Sequence, residues 1–468
     1  MKRLKNSQDS HNLLNSSRFD LAFKLLYLDL YIKCPDLAEN IYKDHIRAFS
    51  LGKFIEPGNK RKVGIKKFLE DFQNIYFSIK QNGFCKNKAL PVSKNGIIIN
   101  GSHRLASSLH LSKKIFSKLS KNLCPNYNFE FFIKRKVNID FIEIAAIKFI
   151  QYCKHPYLAI VWPSAKDKNV NIEEFIPNII YKKSFFLNVN AAKIFLSEVY
   201  KDAKWIGSNL DNYRGIDAKL IECFDKKGPV IVYAFHCNSI RAVKLLKDNI
   251  RKLCGIGKSS IHITDSKKES LYLAKLCFNN NSLHFLNNLK TNKSFGVFDK
   301  ILTLKKFIKK KKISFEDIVF TGSFVMSLYG IRKFADIDYI TKNNVKKEKN
   351  FKDINSHNSE ERFYSKKINQ LIYNPDSYFN FQDLKFLSLQ EIYKMKKKRN
   401  YLKDKNDYNM ISSYLSHNKQ KLFYFTLLQN VYYFGIKLRY NLIIILKQLR
   451  LYNFCKKLII SYNQIFRK

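Results

Sequence analysis

The stretch Asp317 to Ile340 limits this chain more than any other, because it packs a strand, a tight turn, a helix and a second strand into 24 residues. Asp317-Ile318-Val319-Phe320 has the length and apolar content of a short buried strand, and Thr321-Gly322-Ser323 opens a helix. Val325, Leu328 and Tyr329 mark one face of that helix, and Gly330 ends it. Asp336-Ile337-Asp338-Tyr339-Ile340 then reads as a strand. Residues i and i+2 of a strand share a face, so the two carboxylates converge while Ile337 enters the core. Such a pair is what a hard divalent cation needs, and Mg²⁺ bridges it to substrate phosphates. The turn at Gly322 and the Ser323 hydroxyl offer donors to the same phosphates. The bland reading of the pair is a solvated acidic strand.

The order Gly-Ser, twelve residues, then Asp-Ile-Asp resembles the DNA polymerase β superfamily of nucleotidyltransferases over residues 316–410. The resemblance implies Asp336 and Asp338 as catalytic metal ligands, with Gly322 and Ser323 at the nucleotide. It also implies a basic stretch near the triphosphate. Lys396, Arg399, Lys403 and Asp407 stand at helical spacing beside Asp404 and fit that place, or form an ordinary charged face. Members take a third carboxylate from a later strand. The strand expected here, Ile368 to Tyr373, carries none, and Asp376 and Asp383 are the nearest substitutes.

At 468 residues the chain exceeds a single ordinary core and fits about two to four domains. A content of 46% hydrophobic and 15% aromatic residues excludes wholesale disorder. The formal charge of +47 favours polyanionic partners such as nucleoside triphosphates, nucleic acid or anionic lipid, although Lys, Asn and Ile are frequent throughout. The nine cysteines are scattered without a C-x-x-C pair, which argues against a disulfide framework or a zinc site. No apolar signal core follows Met1 to Ser10, so the expected location is the cytoplasm.

Toward the amino terminus, Phe68, Phe72, Ile75 and Ile79 line a helix face, and Ile97-Ile98-Ile99 reads as a strand. The turn Asn100-Gly101-Ser102-His103-Arg104 opens the next helix. This order resembles the ParB/sulfiredoxin-like fold over residues 18–135, and implies nucleotide binding by Gly101, Ser102, His103 and Arg104. Helix amides and a bidentate arginine are the physical means. Ser102 stands where sulfiredoxins have their cysteine, which excludes sulfinic-acid repair.

Residues 150–295 resemble nucleoside diphosphate kinases more faintly. The landmarks are Ala159 to Pro163, Tyr200, Gly228-Pro229-Val230, Arg251, and Ser260 to Ser266. The resemblance makes His262 the phosphorylated residue and Arg251 and Tyr200 phosphate contacts. Trp162, Ile263 and Ser259 depart from the pattern. A satisfied structural histidine is the alternative.

A lysine-rich helix near 297–314 reads as a connector into a nucleotidyltransferase unit at 296–418. After Asp407 no acidic residue remains, and 419–468 mixes Lys and Arg with aromatic and aliphatic residues. Its longest uncharged run, Leu422 to Ile436, has 15 residues and falls short of the roughly 20 that span a bilayer. Helices at the anionic inner face of a membrane, a lid on the catalytic domain, and RNA binding all fit this composition. The whole is expected to be an α/β (α+β) multidomain enzyme. Its chemistry would be Mg²⁺-dependent nucleotidyl or phosphoryl transfer to a small molecule or surface-glycan (polysaccharide) precursor. Adenylylation of nucleic acid or protein in a toxin or defence system, and a non-catalytic nucleotide sensor, are the other readings.

Overall fold

The computed structural model describes residues 7–56, 59–165, 171–207, 214–289, 297–343 and 351–457. Helix and sheet are mixed along the chain. The amino-terminal region is built on the helix Asp20–Leu30, which is buried on nearly every side. It lies among the helices Pro35–Ser50, Ser102–His110 and Ile139–Tyr152. A charge inside such a helix must be neutralised. Asp20 accepts from Arg18 Nε at 2.8 Å and from Lys24 Nζ at 2.9 Å. The expected strand at Ile97–Ile99 is reduced to one bridge between Ile98 and Val92. The bridge is held by the Ser93 amide on the Ile97 carbonyl at 2.8 Å and the Ile99 amide on the Pro91 carbonyl at 2.9 Å, and on the opposite edge the Ile98 carbonyl accepts from Arg18 Nη1 at 2.6 Å.

The middle region centres on a four-stranded antiparallel sheet. Its spatial order is Ile261–Ile263, Pro156–Val161, Val230–His236, Ile179–Phe185. The alternation of a strand splits its two faces. Leu158, Ile160, Val230, Val232 and Ala234 join the main core. Tyr157, Ala159, Val161, Tyr233 and Phe235 form a second core with Val243 and Ile250 of the helix Ile240–Cys254.

A five-stranded mixed sheet follows, in the order Ile354–Ser356, Ile337–Thr341, Ile318–Thr321, Leu384–Leu387, Tyr378–Phe381. Ile318–Thr321 runs antiparallel to Ile337–Thr341 and parallel to Leu384–Leu387. Two expectations are corrected here. Ile368–Tyr373 is a helix, because Ile368, Leu371 and Ile372 repeat with helical spacing and the last two are buried. The lysine-rich helix Val297–Lys310 is no mere connector, since Ile301, Leu304, Phe307 and Ile308 are buried in the main core. That core runs without a break from Leu13 to Tyr414, so the amino-terminal, middle and carboxy-terminal segments share it. The boundary drawn near 295–296 and the tail beyond 457 lie outside the described residues.

The helices Leu389–Arg399 and Leu402–Leu415 close one side of the five-stranded sheet. They are joined at Asn400, which takes the left-handed conformation that asparagine tolerates. A 30-residue helix, Lys419–Gln448, packs Leu422 and Phe425 onto this pair.

Candidate functional site

The strand Ile318–Thr321 turns into the helix Ser323–Leu328 at Gly322, whose φ is 73°. A side chain there would be strained by the backbone and would also collide with the Asp338 carboxylate. Glycine is therefore required twice over, and the backbone comes close against Asp338. The neighbouring strand Ile337–Thr341 pairs Asp338 opposite Thr321. Ile337 is buried beneath, Asp336 is exposed at the strand's start, and Asp338 is half-buried. The two carboxylates line one cleft of about 260 Å³, as the same-face argument required. Neither makes a hydrogen bond or ion pair with any described residue. Burial and the neighbouring Asp336 push the Asp338 carboxyl up to about 6, against the opposing pull of Lys396, Arg399 and Lys403.

The basic wall of the cleft is more selective than its sequence suggested. Lys396 is buried and donates to Asp404 at 3.2 Å, with Asp407 at 2.7 Å. Arg399 forks onto Asp404 at 2.8 and 2.9 Å, and Arg332 forks onto Asp407 at 2.7 and 2.8 Å. These pairs hold the carboxylates of Asp404 and Asp407 below the usual range despite their burial, and they clamp the two helices together. Lys396 thus faces the cleft with its charge already matched. Lys403 also lines the cleft, is exposed, and has no ionic partner among the described residues.

Arg332, His357, Glu360 and Tyr433 are among the lining residues not singled out from the sequence. His357 sits between the Tyr364 hydroxyl at 2.8 Å and Arg399 Nη1 at 3.4 Å. Burial and the nearby cations Arg399, Lys396 and Lys403 lower it to about 4, which keeps it neutral at pH 7. Tyr364 in turn reaches Thr321 Oγ1 at 3.2 Å, next to Asp338. Glu360 lies 3.5 Å from Arg399, and its Oε2 is buried without a hydrogen bond. No periodicity marks Ser356 to Glu361, so only the position just after a strand could have drawn attention to them. Asp376 and Asp383, the substitutes considered for a third carboxylate, do not line the cleft. They pair with Lys366 at 2.8 Å and Lys305 at 3.7 Å.

A larger cavity, about 320 Å³, lies between the helix Asp20–Leu30 and the five-stranded sheet. Its charged groups are already matched. Lys33 meets Asp317 at 2.8 Å, Lys148 meets Asp29, and Lys275 meets Glu316. Lys385 donates to the Ile372 carbonyl at 2.8 Å. That leaves little polar capacity for a ligand.

The other expected site residues divide. Gly101, with φ 90°, starts the helix Ser102–His110, and a side chain there would press on Leu90 and Arg104. Arg104 donates to the Lys88 carbonyl and meets no carboxylate among the described residues. His103 instead turns inward to the Tyr42 hydroxyl at 2.8 Å, and burial lowers it well below its ordinary value. In the middle region the rings of His262 and Tyr200 pack at 5.3 Å. His262 Nε2 lies 3.0 Å from Glu269 Oε1, and the other Glu269 oxygen accepts the Asp265 amide at 2.8 Å. Arg251 lies 3.9 Å from Asp248, and its Nε is buried without a hydrogen bond. Trp162 is fully buried.

Among the described residues no three or more His, Cys, Asp or Glu side chains gather to hold a metal ion. A Mg²⁺ ion nonetheless fits Asp336 and Asp338. Both carboxylates are unpartnered among the described residues, Asp336 helps raise the protonation of Asp338, and this ion is commonly held by one or two carboxylates plus water and phosphate oxygens. Comparison with family models, with curated proteins and with solved structures gives no match.

Proposed function

We propose that the chain transfers a nucleotidyl group from a nucleoside triphosphate, with Mg²⁺, to a small-molecule acceptor such as a surface-glycan precursor. The observation that carries this reading is the pair Asp336 and Asp338. They face a cleft without a cation of their own, while the carboxylates beside them, Asp404 and Asp407, are fully matched. Asp336 and Asp338 would hold the metal, which supplies charge neutralisation to the triphosphate. Lys403 is the free cation for the phosphates. Gly322 lets the backbone come close, and Ser323 adds a hydroxyl at the cleft. In the transfer the acceptor oxygen bonds to the α-phosphorus, the α–β bridging bond breaks, and pyrophosphate leaves. Glu360, whose Oε2 lies 3.5 Å from Arg399 Nη1 in an ion pair without a hydrogen bond, is the group for the acceptor's proton. The amino-terminal turn with Arg104 is read as a second nucleotide contact of ParB/sulfiredoxin-like type.

A second reading is phosphoryl transfer through His262 in a kinase-like middle domain. It is favoured by the packing of Tyr200 on His262 and by the unsatisfied Nε of Arg251. One experiment separates the readings. The full chain with Mg²⁺ is given triphosphates labelled at the α or the γ phosphate, together with candidate sugar and alcohol acceptors. Transfer of α label supports the cleft, and γ label with an acid-labile, base-stable adduct supports His262. Tight nucleotide binding without transfer of either label sinks both and leaves a sensor.

A further inference from the structure

The helix Lys419–Gln448 is held by one face only. Leu422 and Phe425 pack on the core, and Gln429 is its one buried residue. Gln429 Nε2 donates to Asp407 Oδ1 at 3.0 Å, and Tyr433 lines the cleft. The opposite face is a continuous apolar row. Leu427, Val431, Phe434, Leu438, Leu442 and Ile445 form it, and Phe423 and Leu449 extend it at either end. All eight are exposed, from 50% at Leu442 to 73% at Phe423. Side chains of this size, aligned in one row, make a large apolar patch in water.

Three observations identify what covers it. The chain carries no acidic residue after Asp407, while Lys419, Lys421, Lys437, Arg439, Lys447 and Arg450 lie along or just beyond this helix. Lys437 and Arg439 sit on either side of Leu438, about 100° of helix turn away in each direction. From there their ammonium and guanidinium ends can reach outward along the flanks of the row. Such a border matches phosphate headgroups above an acyl layer. The row's spacing, 4-4-3-4-4-3-4, approaches the eleven-residue repeat of about 3.67 residues per turn, not the 3.5 of a left-handed coiled coil. It therefore stays nearly straight along an unbent helix, which suits a flat surface better than a second copy of the same helix. Finally, no helix among the described residues is long and apolar enough to cross a membrane.

We propose that the helix Lys419–Gln448 lies in the plane of an anionic lipid surface with its apolar row inward. Through Gln429 and Tyr433 the same helix then holds the cleft beside that surface. The attachment needs neither nucleotide nor metal, so it stands or falls apart from the transferase reading.

The test is co-sedimentation of the full-length protein with vesicles of phosphatidylglycerol and phosphatidylcholine, and with phosphatidylcholine alone, without nucleotide or magnesium. Binding is expected to need the anionic lipid. It should weaken between about 0.1 M and 1 M salt, as the Debye length falls from ~10 to ~3 Å. Leu438→Glu should reduce binding by on the order of tenfold or more, because a buried leucine side chain is replaced by a charge. Lys437→Ala and Arg439→Ala should each weaken it about fivefold, the effect of one cation near an anionic surface. None of these exposed side chains touches the core, so thermal unfolding should not change. No binding by the wild type at low salt overturns the proposal, as does binding that ignores lipid charge. So does a dimer, seen by sedimentation in solution, that Leu438→Glu dissociates, since a second copy would then own the row.

Discussion

The cleft at Asp336 and Asp338 and the neighbourhood of His262 are built from similar residue types with opposite accounts of their charges. Around His262 the carboxylate that faces the ring is engaged on both oxygens, by His262 Nε2 at 3.0 Å and by the Asp265 amide at 2.8 Å. Asp336 and Asp338 themselves make no hydrogen bond or ion pair with a described residue, and Lys403 beside them has no ionic partner among those residues. The fold there supplies ample cations, but it spends Lys396, Arg399 and Arg332 on Asp404 and Asp407. Two deep carboxylates are thus neutralised by the fold, while the two nearer the cleft mouth meet no cation among the described residues. The lesson is that unmatched charge, more than the mere presence of acids and bases, marks the better candidate.

The largest expected effect tests that contrast directly. Asp336→Asn and Asp338→Asn should each lower α-label transfer by about 10²–10³-fold, as loss of a charge acting on the transition state does. Their unfolding midpoints should not fall, because neither carboxylate supports a partner. Full turnover in both variants would move the chemistry elsewhere.

Next in size is Asp407→Ala, which strands Arg332 in a largely buried place and leaves the buried Lys396 with Asp404 alone. Breaking such a network should cost about 3–5 kcal/mol in urea unfolding. A loss below 1 kcal/mol would mean that water reaches this wall and that the two halves of the cleft are less different than argued.

Glu198 gives a smaller effect with a defined pH window. It is buried, accepts from the Tyr272 hydroxyl and from Gln382 Nε2 at 3.2 Å, and burial pushes it up to about 7 from an ordinary 4.5. A carboxyl with a raised value in the folded state favours the protonated form. Its support is complete below pH 4.5 and is lost as pH rises toward 7. Glu198→Gln should therefore match wild type near pH 4 and exceed it by about 1–3 kcal/mol at pH 8. Equal stability at both pH values would contradict the dry environment assigned to this carboxylate.

The smallest effect is expected at His262. His262→Ala removes one hydrogen bond to Glu269 and should cost about 1 kcal/mol of stability. It should leave α-label transfer unchanged. A loss of transfer as large as that of the aspartate variants would erase the distinction between the two regions.

Local pattern carried much of this arrangement. The strand at Ile318, the glycine turn, the helix from Ser323 and the strand at Ile337 all follow from short-range periodicity and turn chemistry. Other elements are ambiguous in local pattern or depend on a distant partner. Ile97–Ile99 has the composition of a strand, yet it keeps a single bridge to Val92, and Arg18, 80 residues earlier, caps its other edge at the Ile98 carbonyl. Ile368–Tyr373 has the composition of a strand but the apolar spacing of a helix, and it folds as the helix. Lys396 and Lys403 are indistinguishable by spacing, and only packing separates the paired one from the free one.

Sequence alone thus determined that two carboxylates share a face beside a glycine turn, and that the residues after Asp407 are basic and apolar without acids. Both are local properties, set by the two-residue period of a strand and by composition. The tertiary structure alone decided which charges are matched. Asp407 meets Arg332 from 75 residues away and Gln429 from 22 residues away, and Arg399 reaches back 42 residues to His357. Ion pairing depends on which side chains arrive within a few ångströms in a dry place, and no pattern along the chain encodes that distance.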